Sequence, residues 1–107
     1  MQVSISIPSE EGAIALESTE SGQVRVVLGT QSVKAERSLI ERAVTNALNV
    51  GIKPNENFSV LTKVSDETGS VLTVENHPTN RELAVVKIGG GTRSVKGREL
   101  IAAARKC

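Results

Sequence analysis

Gly29-Thr30-Gln31-Ser32-Val33-Lys34 returns as Gly91-Thr92-Arg93-Ser94-Val95-Lys96, identical at five of six positions, and this pair of stretches decides how the chain is read. After a one-residue gap, Arg37, Leu39 and Ile40 match Arg98, Leu100 and Ile101, so the likeness continues downstream. An internal repeat sets the architecture before any single element is assigned. Upstream, the turn Ser9-Glu10-Glu11-Gly12 answers Ser65-Asp66-Glu67-Thr68-Gly69, which places the two halves at about 3–50 and 58–107.

Around the first hexapeptide the pattern has period two. Val3-Ser4-Ile5-Ser6-Ile7 alternates apolar and hydroxyl residues, the mark of a strand with one wet face, and Pro8 ends it. Ala13 to Ser18 and Gln23 to Leu28 read as the next strands, with Thr19-Glu20-Ser21-Gly22 as the turn between them. The second half repeats this with Phe58 to Val64, Ser70 to Glu75 and Glu82 to Ile88. Leu83 to Ile88 is apolar on both faces for most of its length, which suits a strand inside a sheet.

From Val33 to Asn49 the period becomes helical. Leu39, Ala43 and Ala47 form one row and Ile40, Val44 and Leu48 the next, with Ser32 as the expected N-cap and Gly51 as the stop before Pro54. A shorter helix is expected from about Arg98 to Arg105 with Leu100, Ile101 and Ala104 inward, because Gly97 disfavours an earlier start. Residues 51–57 join the halves and are too few for a flexible interdomain linker. The expected fold is α+β: an internally duplicated βββα unit, with pseudo-twofold symmetry, forming one compact domain over 1–107. Neither unit, at roughly 50 residues, buries enough surface to fold alone.

Composition agrees with a small aliphatic core. Among 107 residues there are 14 Val, 8 Leu and 7 Ile, one Phe, and no Trp or Tyr. No stretch approaches the run of about 20 apolar residues that a membrane span needs, and the first residues lack the pattern of a secretory signal. The expected location is cytoplasmic or intravirion, with no secretion and no membrane partner.

The formal net charge of +1 hides a division that follows the repeat. Residues 1–28 carry −3, 29–54 carry +2, 55–82 carry −3 and 83–107 carry +5. Acidic hairpins thus alternate with basic strand-to-helix segments, a pattern that steers an anionic partner or docks one copy on another. The segments around the hexapeptides read as loops leading into helices, where hydroxyls, backbone N–H groups and cations converge as phosphate requires. The candidate anion-binding residues are Thr30, Ser32, Lys34 and Arg37 in the first copy, and Thr92, Arg93, Ser94, Lys96 and Arg98 in the second. Neither a Walker loop nor a dinucleotide-binding glycine pattern is present.

Catalysis finds little material. The only histidine, His77, sits in Asn76-His77-Pro78 and reads as a loop residue, and Cys107 reads as an inert thiol. Ser32 with Lys34, or Ser94 with Lys96, makes a poor dyad if the segment is helical, since i and i+2 then point apart. One His and one distant Cys make no metal cluster, and no cofactor is expected. Glu10-Glu11 and Asp66-Glu67 read as solvated turn residues. The expected function is therefore a small non-enzymatic, self-associating interaction or assembly module, with homo-oligomers as its partner state. The alternative is binding of nucleic acid or another phosphate anion through the two hexapeptide segments; a small enzyme acting on a phosphorylated substrate comes last. Nucleic acid would be held by its backbone, because Phe58 and His77 are the only rings available for base stacking.

Overall fold

In the computed structural model, residues 3–19, 22–49 and 61–107 are described. Within them the chain runs β1 (Ser4–Ile7), β2 (Ile14–Ser18), β3 (Gln23–Leu28), β4 (Gln31–Glu36), α1 (Arg37–Asn49), β5 (Leu61–Ser65), β6 (Val71–Asn76), β7 (Leu83–Ile88), β8 (Gly91–Lys96) and α2 (Gly97–Lys106). The fold is α+β, with two four-stranded antiparallel sheets, ordered β1-β2-β3-β4 and β5-β6-β7-β8, and two helices. Phe58 to Val60, the joint at 51–57 and the proposed stop at Gly51 lie outside the described residues.

The hexapeptide segments are strands and not loops, so each half runs ββββα in place of the expected βββα. The cause is local. Leu28 faces Gln31 and Ile88 faces Gly91 across two-residue connections, Gly29-Thr30 and Gly89-Gly90. Gly29 and Gly89 take φ of 61° and 57°, the first central position of a type II′ hairpin turn, where glycine alone is comfortable. The chain therefore reverses at once, and Val33 and Ala35, or Val95, drop into the core on alternate positions. Ser32 is accordingly a strand residue and no N-cap; α1 begins at Arg37, four residues later than the periodicity from Val33 suggested.

The hairpin registers also revise the repeat itself. Aligned on their turns, Gln31 superposes on Gly91 and Val33 on Arg93, so the identical hexapeptides sit two residues out of step along their strands. A slip of two keeps each side chain on its face: Val33 and Val95 stay inward, Lys34 and Lys96 outward. What changes is which residue lies beside a given neighbour.

Inner faces of both sheets pack on the helices. Ile14, Leu16, Val24, Val26 and Val33 of the first sheet and Leu72, Val74, Val86 and Val95 of the second belong to one buried cluster with Ile40, Val44 and Leu100. Helix α1 crosses β5, β6 and β7, the sheet of the other half. Helix α2 reaches β1, and the Cys107 thiol lies 3.5 Å from the Leu16 carbonyl. The helices run antiparallel: Gly97 lies against Leu48 at one end, while at the other Arg37 donates to the Cys107 carbonyl (2.7 Å) and Arg105 pairs with Glu41. Ile40, Ala43, Val44 and Ala47 form the buried stripe of α1, and Leu39, expected inward, is 39% exposed. No helix among the described residues is long and apolar enough to cross a membrane.

Candidate functional site at the free strand edges

Among the described residues, strands β4 and β8 end their sheets, so one side of each backbone pairs with no further strand. In an antiparallel hairpin closed by two residues, alternate residues of the last strand turn N–H and C=O away from the partner strand. In β4 these are Ser32, Lys34 and Glu36; in β8 they are Thr92, Ser94 and Lys96. Such an edge invites another chain unless something covers it.

Acidic turns do the covering, each from the opposite half. Glu11, in the turn between β1 and β2, accepts from the Ser94 backbone N–H (3.1 Å) and from the Ser94 hydroxyl (2.9 Å). These bonds, the backbone one foremost, hold its carboxyl below the ordinary glutamate value. Asp66, in the turn between β5 and β6, reaches the Lys34 N–H at 3.4 Å through Oδ2. Its Oδ1 serves its own turn, accepting from the Thr68 N–H and hydroxyl and from the Ser70 N–H (3.1 Å). Asp66 too is held below its ordinary value, first by the Thr68 hydroxyl. Glu11 and Asp66 thus lie in solvent-accessible turns, as expected, and are also bonded to the edge strands, so the alternation of acidic and basic segments is partly satisfied inside the molecule.

The two seals differ in quality, and the two-residue slip explains why. At equivalent hairpin positions β8 presents Ser94 and β4 presents Lys34. Serine offers N–H and hydroxyl together to one carboxylate, whereas at Lys34 the backbone N–H alone reaches Asp66. Ser32, the sequence counterpart of Ser94, lies two residues nearer the hairpin turn. Its outward N–H and hydroxyl have no partner among the described residues.

Around Ser32 lies a groove of about 950 Å³ between β4 and the β5–β6 turn. Arg25 and Lys34 stand directly opposite each other on its β3–β4 wall, with Glu36 further along β4, and Asp66 and Glu67 are on the other wall. Like charges opposite each other in a sheet repel, and neither cation forms an ion pair among the described residues. Leu39 and Val71, each 39% exposed, also line it. The corresponding groove beside β8, about 580 Å³, is lined by Glu10, Glu11, His77 and Lys96.

The remaining candidates are dispersed. Thr30 is in the β3–β4 turn, and Thr92, Ser94 and Lys96 share the outer face of β8. Strand geometry brings Ser32 and Lys34 onto one face, as it does Ser94 and Lys96, where a helix would have parted them. The Ser94 hydroxyl is given to Glu11. Arg37 is tied to the Cys107 carbonyl. Arg93 points to the inner side, where its guanidinium donates to the Ala13 carbonyl (3.2 Å) and packs on Gly12. Arg98 is exposed on α2. His77 accepts from the Thr79 and Asn80 N–H groups through Nδ1 and shapes its loop. Burial pushes the Cys107 thiol up, away from the thiolate. No group of three or more metal-ligating side chains occurs among the described residues. Compared with known proteins, the chain matches no family model, no curated protein and no solved structure.

Proposed function

We propose that the protein is a non-enzymatic interaction module that captures an oxyanion-bearing partner on the free edge of β4, through Ser32 with Lys34 and Arg25. One observation carries the reading: the serine of the second hexapeptide already holds a carboxylate, Glu11 on Ser94, while the exposed serine of the first has no partner for the same donors among the described residues. Duplication of a ββββα unit about a pseudo-twofold axis supplies the background. It is supported by the shared element order, the matching two-residue hairpins, the antiparallel helices and the reciprocal contacts of the acidic turns. In this reading one copy of the edge became internal glue and the other kept a working surface. Self-association through acidic and basic halves has less support, since Glu11 and Asp66 are engaged within the chain.

A second reading, binding of a nucleic-acid backbone, is favoured by the Arg25–Lys34 pair and by the row Lys63, Thr73, Lys87 and Thr92 on the outer face of the second sheet. Lys87 there is partly spent on Glu75 at 2.7 Å. Fluorescence anisotropy with a labelled glutamate-rich peptide and a labelled oligonucleotide, each at low and high salt, tests both. The first reading expects peptide binding that weakens roughly three- to tenfold in Ser32→Ala and persists in Ser94→Ala. Oligonucleotide binding alone, steeply salt-dependent, favours the second. Binding of neither removes both.

A further inference from the structure

We infer that the groove beside β4 receives an acidic polypeptide turn flanked by apolar residues, contributed by a partner protein. The inference rests on the oxyanion reading of the β4 edge and adds the form of the occupant. Its template lies in the molecule. The turn Ser9-Glu10-Glu11-Gly12 is closed by the Gly12 N–H on the Ser9 carbonyl (3.2 Å) and by the Ser9 hydroxyl on the Gly12 carbonyl, and it delivers one carboxylate to an outward N–H and a hydroxyl of an edge strand. Pro8 and Ala13 bracket that turn, so the delivering element is acidic at its tip and apolar at its shoulders.

The β4 groove has the complementary features. At its edge, Ser32 presents the same two donors that hold Glu11 on Ser94. Arg25 and Lys34 face each other there with no ion pair among the described residues; Glu17 stands opposite Arg25 on its other side, so Lys34 is the cation most available to an incoming carboxylate. Leu39 and Val71 are two of the three large apolar residues exposed among those described, and both line this groove. Apolar shoulders of a turn would cover them, gaining burial that a free phosphate cannot. Asp66 is the resident competitor: its 3.4 Å contact with the Lys34 N–H is long, and its other oxygen is committed to its own turn. The opposite wall, with Asp66 and Glu67, repels a uniformly acidic chain and so favours one with a single acidic tip.

The test is a titration of the ¹⁵N-labelled full chain with the synthetic peptide Ile-Pro-Ser-Glu-Glu-Gly-Ala-Ile, followed by amide shifts. The chain's own copy of this turn is tethered at high effective concentration and keeps Ser94 occupied, so the added peptide reports on the open edge. The expected result is a response centred on Ser32 and Lys34. It should weaken roughly three- to tenfold when the second glutamate of the peptide is replaced by glutamine, or in Ser32→Ala. Leu39→Ser should weaken it separately. Equal binding of the glutamine peptide, or a response centred elsewhere, overturns the inference. Response of the same amides to inorganic phosphate or an oligonucleotide but not to the peptide overturns the turn as occupant and leaves the oxyanion reading standing. Movement of these amides on raising the protein's own concentration makes the occupant a second copy and overturns the partner assignment. No response to peptide, phosphate or oligonucleotide overturns both.

Discussion

Glu11 shows how much one carboxylate on an exposed edge does in a chain this small. Its two bonds to Ser94 join residues 83 positions apart, tying the first hairpin to the last strand. Charge-assisted bonds in water are worth less than buried ones, and Glu11→Gln is expected to cost about 1 kcal/mol or less, measured as a shift in denaturant midpoint. The pH dependence has a definite sign. The carboxyl is held below its ordinary value of 4.5 in the folded chain, so its contribution is present above that value and is lost as pH falls through the lowered folded value. Glu11→Gln should therefore narrow the stability difference between neutral and acidic solution. An unchanged difference would show that the Ser94 bonds carry no folding energy. A second expectation concerns Gly89, whose φ of 57° disfavours any side chain, while the nearby Gln31 amide is the end of an exposed side chain that can move aside. Gly89→Ala should destabilise by about 1–2 kcal/mol in the same assay. Gly90, with nothing within 4 Å of its missing side chain and no positive φ, should accept alanine at little cost.

Among the elements, Gly97 at the start of α2 sets how closely the helices meet. An added Cβ would lie 2.6 Å from the Leu48 methyl carbons at the C-terminal end of α1. Gly97→Ala should cost about 1–3 kcal/mol by overpacking, offset in part by helix propensity. Leu48→Ala should make room, so the double variant should be less destabilised than the sum of the two single ones; strict additivity in thermal unfolding would contradict the contact. Most strands were legible in the sequence because alternation survives in Val3–Ile7 and Gln23–Leu28, and both helices were legible from their four-residue rows. The fourth strands are hidden in the sequence because Ser32 resembles an N-cap and Val33 begins an apolar series that fits both periods. The signal that could have separated them was present: Gly29-Thr30 and Gly89-Gly90 are two-residue hairpin turns with glycine at the first central position, between apolar runs. Hidden from any local reading was the partner of each edge. That depends on which half supplies the acidic turn, and on a slip of two residues that only the strand registers reveal.

For the whole molecule the decisive feature is that the helices are exchanged. Helix α1 covers the second sheet and α2 reaches across the first, so each half alone leaves the inner face of its sheet without its helix. Separately produced 1–50 and 51–107 should therefore fail to form stable monomers, and mixing them should restore the circular dichroism of the intact chain; a cooperative monomeric transition in either half would contradict this packing. The same exchange carries each acidic turn to the other half's edge strand, where Glu11 holds Ser94 by two bonds and Asp66 reaches Lys34 by one long one, with Ser32 unpartnered among the described residues. Amide hydrogen exchange at the two serines separates the bonded edge from the unbonded one. The Ser94 N–H, bonded to Glu11, should exchange slowly and become fast in Glu11→Ala, which removes the acceptor, while the Ser32 N–H should exchange at a solvent-exposed rate in both proteins. Equal protection of Ser32 and Ser94 in the intact chain would mean that the β4 edge is already occupied, and the binding surface assigned to it would be lost.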